Sequence, residues 1–266
     1  MKIRRHVFLL PLLALASALP AAEKPLIVAH YMTWFGLPEV SGSWYNWKFN
    51  LGGVDVDKHH YPDLKLPNGR NDVAALHYPS IGPYDSADPH LAEYHILLAK
   101  EAGIDAFIVN WYGFEDENGI RRQEDKGFEN LLRAAERLDF KVCLNYDDKA
   151  SFPPFQKTRS RAEAASHARL VVERVLRDYA PSPAYFKIKG KAVLSNFASP
   201  YATNQSMDQA AFTANEWRQI FGDARSRTYF IHDHHWGWSM SIQRAGFTQV
   251  SDSVYCWVGR AEDRLG

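Results

Sequence analysis

Asp88–Gly113, DPHLAEYHILLAKEAGIDAFIVNWYG, carries a complete passage from a helix into a strand. Asp88 supplies an oxygen that can cap a helix, and Pro89 is pre-set for the first helical position. Leu91, Tyr94, Leu98 and Ala102 recur at helical spacing, and Gly103 suits a left-handed stop. Ile104 to Asn110 is an apolar run of strand length that ends on Trp111 and Tyr112. A helix feeding a buried strand is the repeating unit of a parallel sheet covered by helices.

The pattern repeats in both directions. Leu26 to Tyr31 reads as the first strand, and a segment of about 50 residues rich in Gly, Pro, Asn, His and Trp separates it from Asp88. Downstream, Phe128, Leu131, Leu132, Ala135 and Leu138 mark a helix before a third strand, Phe140 to Tyr146. Ser160 with Glu163 forms a capping box for a helix bearing Leu170, Val171 and Val175, followed by a strand from Lys191 to Phe197. Ser206 with Gln209 is read as the cap of a helix through Phe212, Trp217 and Phe221, with a strand from Thr228 to His232 after it. A short helix around Ser241 to Ala245 leads to a sixth strand, Val254 to Val258. No glycine-rich phosphate loop follows the first strand, which disfavours a nucleotide-binding sheet. The fold expected is a (β/α)8 TIM barrel, C-terminally incomplete, with six strands readable.

The chain has 266 residues, 46% hydrophobic and 14% aromatic, with 31 basic and 31 acidic side chains. Balanced charge does not indicate a polyanion-binding surface, so no nucleic-acid partner is expected. Lys2, Arg4 and Arg5, an apolar run from Val7 to Leu15 and Ala16-Ser17-Ala18 read as a cleaved signal peptide over residues 1–22. Residues 23–266 then form one barrel domain of a secreted or periplasmic protein with no membrane span. Cys143 and Cys256 lie in apolar strand-like runs and are read as buried thiols.

The strand ends carry the chemistry. They bring His30, Tyr31 and Trp34, then Trp111 and Tyr112, then Asp147 and Asp148, then Asn196, then His232, Asp233, His234 and Trp236, then Tyr255 and Trp257. In a barrel these ends surround one mouth. Aromatic faces beside Asn, Asp and His suit a sugar ring, whose C–H face packs on a ring while its hydroxyls need donors and acceptors. Glycosidic cleavage needs two carboxyl groups, and Asp147, Asp148 and Asp233 are the candidates. Adjacent strand residues face opposite ways, so Asp147 and Asp148 are not a pair by themselves, whereas one of them can pair with Asp233. The alternative for the pair is that one caps the following loop and Lys149 neutralises the other. His232-Asp233-His234-His235 invites a metal, but no third ligand is identifiable; no metal and no cofactor are expected. The long first loop, with Trp44, Tyr45 and Trp47, is read as one wall of the cleft.

These residues resemble a known group. His30-Tyr31-Met32-Thr33-Trp34-Phe35 resembles the HYMPWF segment of glycoside hydrolase families 71 and 99. His77-Tyr78-Pro79-Ser80-Ile81-Gly82-Pro83-Tyr84-Asp85-Ser86-Ala87-Asp88-Pro89 is similar to the segment before their first helix, and Asn110-Trp111-Tyr112-Gly113 and Val254-Tyr255-Cys256-Trp257-Val258-Gly259 to later strand ends. The resemblance implies a (β/α)8 barrel hydrolysing α-mannosides or α-1,3-glucans, with an oligosaccharide or polysaccharide as its partner. It further implies, for family 99, retention through the sugar 2-hydroxyl, with one glutamate as base and another as acid in an NEW-EG motif. Asn215-Glu216-Trp217 matches three letters of that motif but lies in a helical pattern and is read as a chance match; the motif itself is expected beyond Gly266. The competing readings are a non-catalytic carbohydrate-binding protein on a degenerate barrel and, behind it, a metal-dependent hydrolase using the His232 to His235 cluster.

Overall fold

The computed structural model describes residues 25–48, 60–114, 122–152, 156–158, 160–197, 211–233 and 246–255. The strands are β1 (Val28–Met32), β2 (Ala106–Trp111), β3 (Lys141–Asp147), β4 (Lys187–Ile188), β5 (Lys191–Phe197), β6 (Thr228–Asp233) and β7 (Ser253–Tyr255). The helices are α1 (Pro38–Ser41), α2 (Pro89–Glu101), α3 (Arg122–Leu138), α4 (Arg161–Asp178) and α5 (Ala214–Phe221). The sheet order is β1-β2-β3-β5-β6-β7, with every neighbour on this path parallel. The two-residue β4 pairs antiparallel with β5 through a tight turn at Lys189 and Gly190, both with positive φ. The sheet is curled into an incomplete (β/α)8 barrel. Its curl brings His30 on β1 to a ring-centroid distance of 6.4 Å from Tyr255 on β7, although among the described residues these two strands do not pair.

Strand alternation gives the curled sheet two unlike faces. The register aligns Asn110 with Asn145, Asn145 with Ser195 and Ser195 with Ile231; one step on, it aligns Asp147 with Phe197 and Asp233 with Tyr255. These residues share the concave inner face. The alternate set, which includes Phe107, Val109, Trp111, Val142, Leu144, Tyr146, Leu194 and Phe230, is buried under the helices and forms the main core. α2 packs on α3, and α4 on α5.

The helix starts follow from their caps. The Asp88 side chain accepts from the His90 N–H, and the Ser160 side chain from the Glu163 N–H. Three readings need correction. α2 buries Leu91, Ala92, Ile96 and Ala99, whereas Tyr94 and Leu98 lie 37% and 49% exposed. Small alanines let α2 approach the sheet, and the larger side chains turn outward. Leu170 on α4 is 66% exposed for the same reason, the buried stripe being Ala164, Ala168, Val171, Val172 and Val175. α5 starts at Thr213, whose hydroxyl and Glu216 form the capping box, and Phe212 precedes the helix. The segment expected to be a signal peptide, Ser206, Gln209, the helix expected at Ser241 to Ala245, and Cys256 lie outside the described residues. Cys143 is free and buried, and burial pushes its thiol well up.

Candidate active site

The described parts of the segment between β1 and α2 pack on one another. Trp47 is buried against Phe35 (4.4 Å) and Tyr84 (5.1 Å), and its indole N–H donates to the Tyr84 carbonyl at 2.9 Å. Asp85 clamps the layer, accepting from the Leu37 N–H, the Ser41 hydroxyl and the Ala87 N–H at 2.7–2.9 Å. Ser86 pairs with Phe35 through its backbone N–H and its hydroxyl. Thus the segment from Tyr84 to Pro89 holds the loop, the first strand end and the start of α2 together. α3 closes against it at Gly127, where a Cβ would lie 2.8 Å from the Ser86 carbonyl oxygen and 3.0 Å from Thr33.

On the inner face the polar groups form a ladder across the strands. Asn145 Nδ2 donates to Asn110 Oδ1 at 3.2 Å. Asn145 Oδ1 accepts from Ser195 Oγ at 2.7 Å and from the Tyr255 hydroxyl at 3.3 Å. Asn145 and Ser195 are fully buried, so each needs these partners. His30 faces Tyr255 at the open edge, and burial pulls its imidazole down to about 4, so it is neutral at pH 7.

Two of the three acidic candidates belong to this face. Asp147 ends β3 fully buried; its Oδ1 caps the following 3-10 turn by accepting from the Lys149 N–H at 3.1 Å, and its Oδ2 lies 3.6 Å from Lys149 Nζ. Burial pushes the Asp147 carboxyl up, and Lys149 and the neighbouring Tyr112 phenol pull it part of the way back. Asp233 ends β6, 2% exposed, on the same level of the sheet as Tyr255. The Tyr255 phenol is pushed far up, first by burial and then by Asp233, Asp147 and Asp148, so it lies within electrostatic reach of all three acids. Asp148 is different. It opens the 3-10 turn, its Oδ1 accepts from Asn196 Nδ2 at 3.1 Å and its Oδ2 from the Phe212 N–H at 2.9 Å. Asp147 therefore is both the cap of the turn and the partner of the Lys149 ammonium, and Asp148 is left to Asn196 and Phe212.

Several residues expected around the mouth take other places. Tyr31 lies on the helix-facing side, stacked on Phe107 at 4.8 Å, with its hydroxyl 2.7 Å from His95 Nδ1 on α2. Trp111 is fully buried there, edge-on to Phe114 at 4.9 Å, and its N–H donates to Asp125 on α3 at 3.2 Å. His232 lies flat on Phe247 at 3.5 Å, with Nδ1 at 3.0 Å from Asn196 Oδ1. Asn196 itself is fully buried on that same side. In each case the physical reason is the two-residue period of a strand, which sends alternate side chains outward. Trp34 lies half-buried past the end of β1, edge-on to Phe35. His234, Trp236 and Trp257 lie outside the described residues, as does His235. Among the described residues no three of His, Cys, Asp and Glu gather as a metal site.

Glu124 was not marked by any motif. It sits in the first turn of α3, 1% exposed, and it helps push the Tyr112 phenol up, behind the larger effects of burial and Asp147. Only its place just after a barrel strand could have signalled it. Glu216 is occupied elsewhere: besides capping α5 it receives two 2.7 Å hydrogen bonds from the Arg161 guanidinium, and Trp217 is fully buried. The three-letter match at Asn215 to Trp217 is a helix cap.

Among the described residues no helix is long and apolar enough to cross a membrane. The model of glycosyl hydrolase family 99 matches residues 23–231. A glycoprotein endo-alpha-1,2-mannosidase of Xenopus laevis is 26% identical over 170 residues, which is 60% of this chain and 33% of that protein. A glycoprotein endo-alpha-1,2-mannosidase-like protein of Mus musculus is 32% identical over 39% of this chain and 25% of its own length. The chain thus spans about a third or less of the length of these relatives. Among solved structures, the GH99 endo-alpha-mannosidase from Bacteroides thetaiotaomicron superimposes with a TM-score of 0.59 at 20% identity, covering 87% of this chain and 61% of that one. That likeness concerns the fold, and the family match covers most of the chain. With its half-barrel and its strand-end motifs, the chain belongs to glycosyl hydrolase family 99.

Proposed function

We propose that this chain forms the acid-bearing face of a glycoside hydrolase that cleaves α-linked mannosides, and that it is exported. Family membership and the endo-mannosidase relatives support the reaction class and the sugar. The observation that carries the reading is the inner face itself. Two buried carboxylates, Asp147 and Asp233, stand on it at one level, beside Tyr112, Tyr255 and the asparagine ladder. Burial raises the Asp147 carboxyl above its ordinary value, against the pull of Lys149 and Tyr112, and so favours its proton-carrying form. In this reading Asp147 gives its proton to the glycosidic oxygen as the bond to the sugar carbon breaks. Asp233 takes a proton from the hydroxyl that attacks that carbon. The Asn110–Asn145 ladder braces this face from behind, and in this reading the rings of Tyr255 and Tyr112 take the sugar's C–H face. The N-terminal basic and apolar stretch supports export.

Reducing-end release from α-1,2-linked mannan and manno-oligosaccharides tests the reading. Asp147→Asn and Asp233→Asn should each lower kcat about 10²- to 10⁴-fold, the range for a lost proton-transfer group, with near-UV circular dichroism unchanged. Full activity in either variant would remove that residue from the mechanism. Mannan binding by the wild-type chain with no turnover would instead establish a carbohydrate-binding protein.

A further inference from the structure

Trp44 differs from the other tryptophans among the described residues. Trp34, Trp47, Trp111 and Trp217 each pack against another aromatic ring. No ring of the described residues packs on Trp44, and the residue stays partly open to solvent. We propose that its indole is a sugar platform on the rim of the curled sheet, off the inner face, which receives an outer unit of a longer manno-oligosaccharide; this rests on the reading of the inner face as the seat of an α-mannoside.

Its placement follows from the chain that leaves β1. That strand ends at Met32, and the residues after it are sewn to the segment around Trp44. The Asn46 side-chain N–H donates to the Trp34 carbonyl at 2.8 Å, and the Gly36 N–H donates to the Tyr45 carbonyl at 3.1 Å. Gly36 lies so near the Tyr45 ring that a Cβ there would stand 2.7 Å from it. Asn46 takes a left-handed backbone, with φ of 55°, and so turns the chain between Trp44 and the buried Trp47. Trp44 is thereby held near the C-terminal end of β1. The strands of the main sheet path are parallel, so this is the end of the sheet at which Asp147 and Asp233 also stand.

Its orientation follows from one hydrogen bond. The indole N–H is the only polar atom of the side chain, and it donates to Oδ1 of the exposed Asp63 at 2.7 Å. Asp63 is itself held in a closed turn of the loop, where Asp72 accepts from the Tyr61 N–H at 3.0 Å and lies 2.7 Å from His60 Nδ1. A tryptophan that only filled the loop would bury its faces, as Trp47 does between Phe35 and Tyr84. Trp44 has its edge tied and no ring partner among the described residues, so its apolar faces are left for a sugar's C–H face. A ring fixed at its edge loses little further freedom on stacking. The second oxygen of Asp63 can accept a sugar hydroxyl beside it. Because Trp44 stands on the loop and not on a strand, it serves a chain that extends from the inner face over the β1 side of the rim.

Titration calorimetry of the full chain tests the platform, with an α-1,2-linked manno-disaccharide and hexasaccharide joined through sulfur so that they resist hydrolysis. The wild type should bind the hexasaccharide more tightly than the disaccharide. Trp44→Ala should weaken hexasaccharide binding about 3- to 10-fold, the range for one aromatic stacking contact, and so reduce the gain from chain length. Trp44→Phe keeps a smaller ring and should retain part of that gain. Trp44→Leu fills space without a π face and should lose as much as Trp44→Ala; it decides the matter if the alanine variant does not fold. Wild-type hexasaccharide affinity in a folded alanine or leucine variant would overturn the proposal. So would a loss of affinity by the same factor for both sugars together with a fall in Tm, which is the mark of a loop support. No binding of either sugar by the wild type would remove the reading of the inner face, and the proposal with it. Wild-type binding of the disaccharide with no gain from length would remove the proposal alone.

Discussion

The two faces of the same sheet differ sharply within single strands. On β2, Asn110 points inward into the asparagine ladder while its neighbour Trp111 lies under α3. On β3, Asn145 joins that ladder, while Tyr146 points outward and shares a 2.5 Å hydrogen bond with Ser151. Each of these two inner asparagines thus sits beside an aromatic outer residue. The inner face spends its hydrogen bonds on orienting groups toward the open side of the curl. The outer face spends its rings on holding helices. A strand-end cluster of aromatic and polar residues therefore carries two jobs, and only the register separates them.

The sharpest way to break this division is Trp111→Ala. If the ring is a core element, unfolding in urea should show a loss of about 3–5 kcal/mol, with folded molecules turning over at the normal rate. A stable variant that has lost substrate affinity would put Trp111 back at the mouth. Gly127→Ala tests the seam between α3 and the first loop. The added carbon would meet the Ser86 carbonyl at 2.8 Å, so a loss of about 1–3 kcal/mol is expected from overpacking. An unchanged Tm would mean that α3 moves freely there. Tyr255→Phe removes one hydroxyl that serves both Asn145 and Asn196, and should cost about 0.5–1.5 kcal/mol while lowering turnover. Equal turnover would confine Tyr255 to packing.

The smallest effect is a slope. Burial holds His30 at about 4, below its ordinary 6.5, so between these values the unfolded chain binds a proton that the folded chain does not. The His30 contribution to stability is complete above pH 6.5 and is lost as pH falls toward 4. His30→Asn should flatten the dependence of Tm on pH in that window. An unchanged slope would show that the ring is solvated.

Much of the fold was legible because strands and caps are written locally. The strand from Lys191 to Phe197 was read at its full extent, and Asp88 and Ser160 cap their helices as their side chains allow. The inward set was harder. Whether Trp111 or Asn110 faces the sugar depends on which of two alternate faces closes on helices, and an apolar run buried on both sides shows no alternation to decide it. The buried stripe of α2 is hidden in the sequence for a related reason: alanines help set it, while the larger Tyr94 and Leu98, at the same helical spacing, lie exposed. The strand-end position of Asn196 points to sugar binding, whereas its partners are residues 148, 232, 233 and 255, a set that no local pattern displays. Glu124 had no motif at all.

The layer after β1 carries a consequence for binding thermodynamics. Its described part is fastened by Trp47 and Asp85 through hydrogen bonds within the chain. A loop that must be ordered at the moment of capture subtracts its lost freedom from the affinity, whereas a wall already rigid subtracts little. Titration calorimetry of a manno-oligosaccharide should therefore show a small entropic penalty for wild type, and a larger one once Asp85→Ala has loosened the clamp.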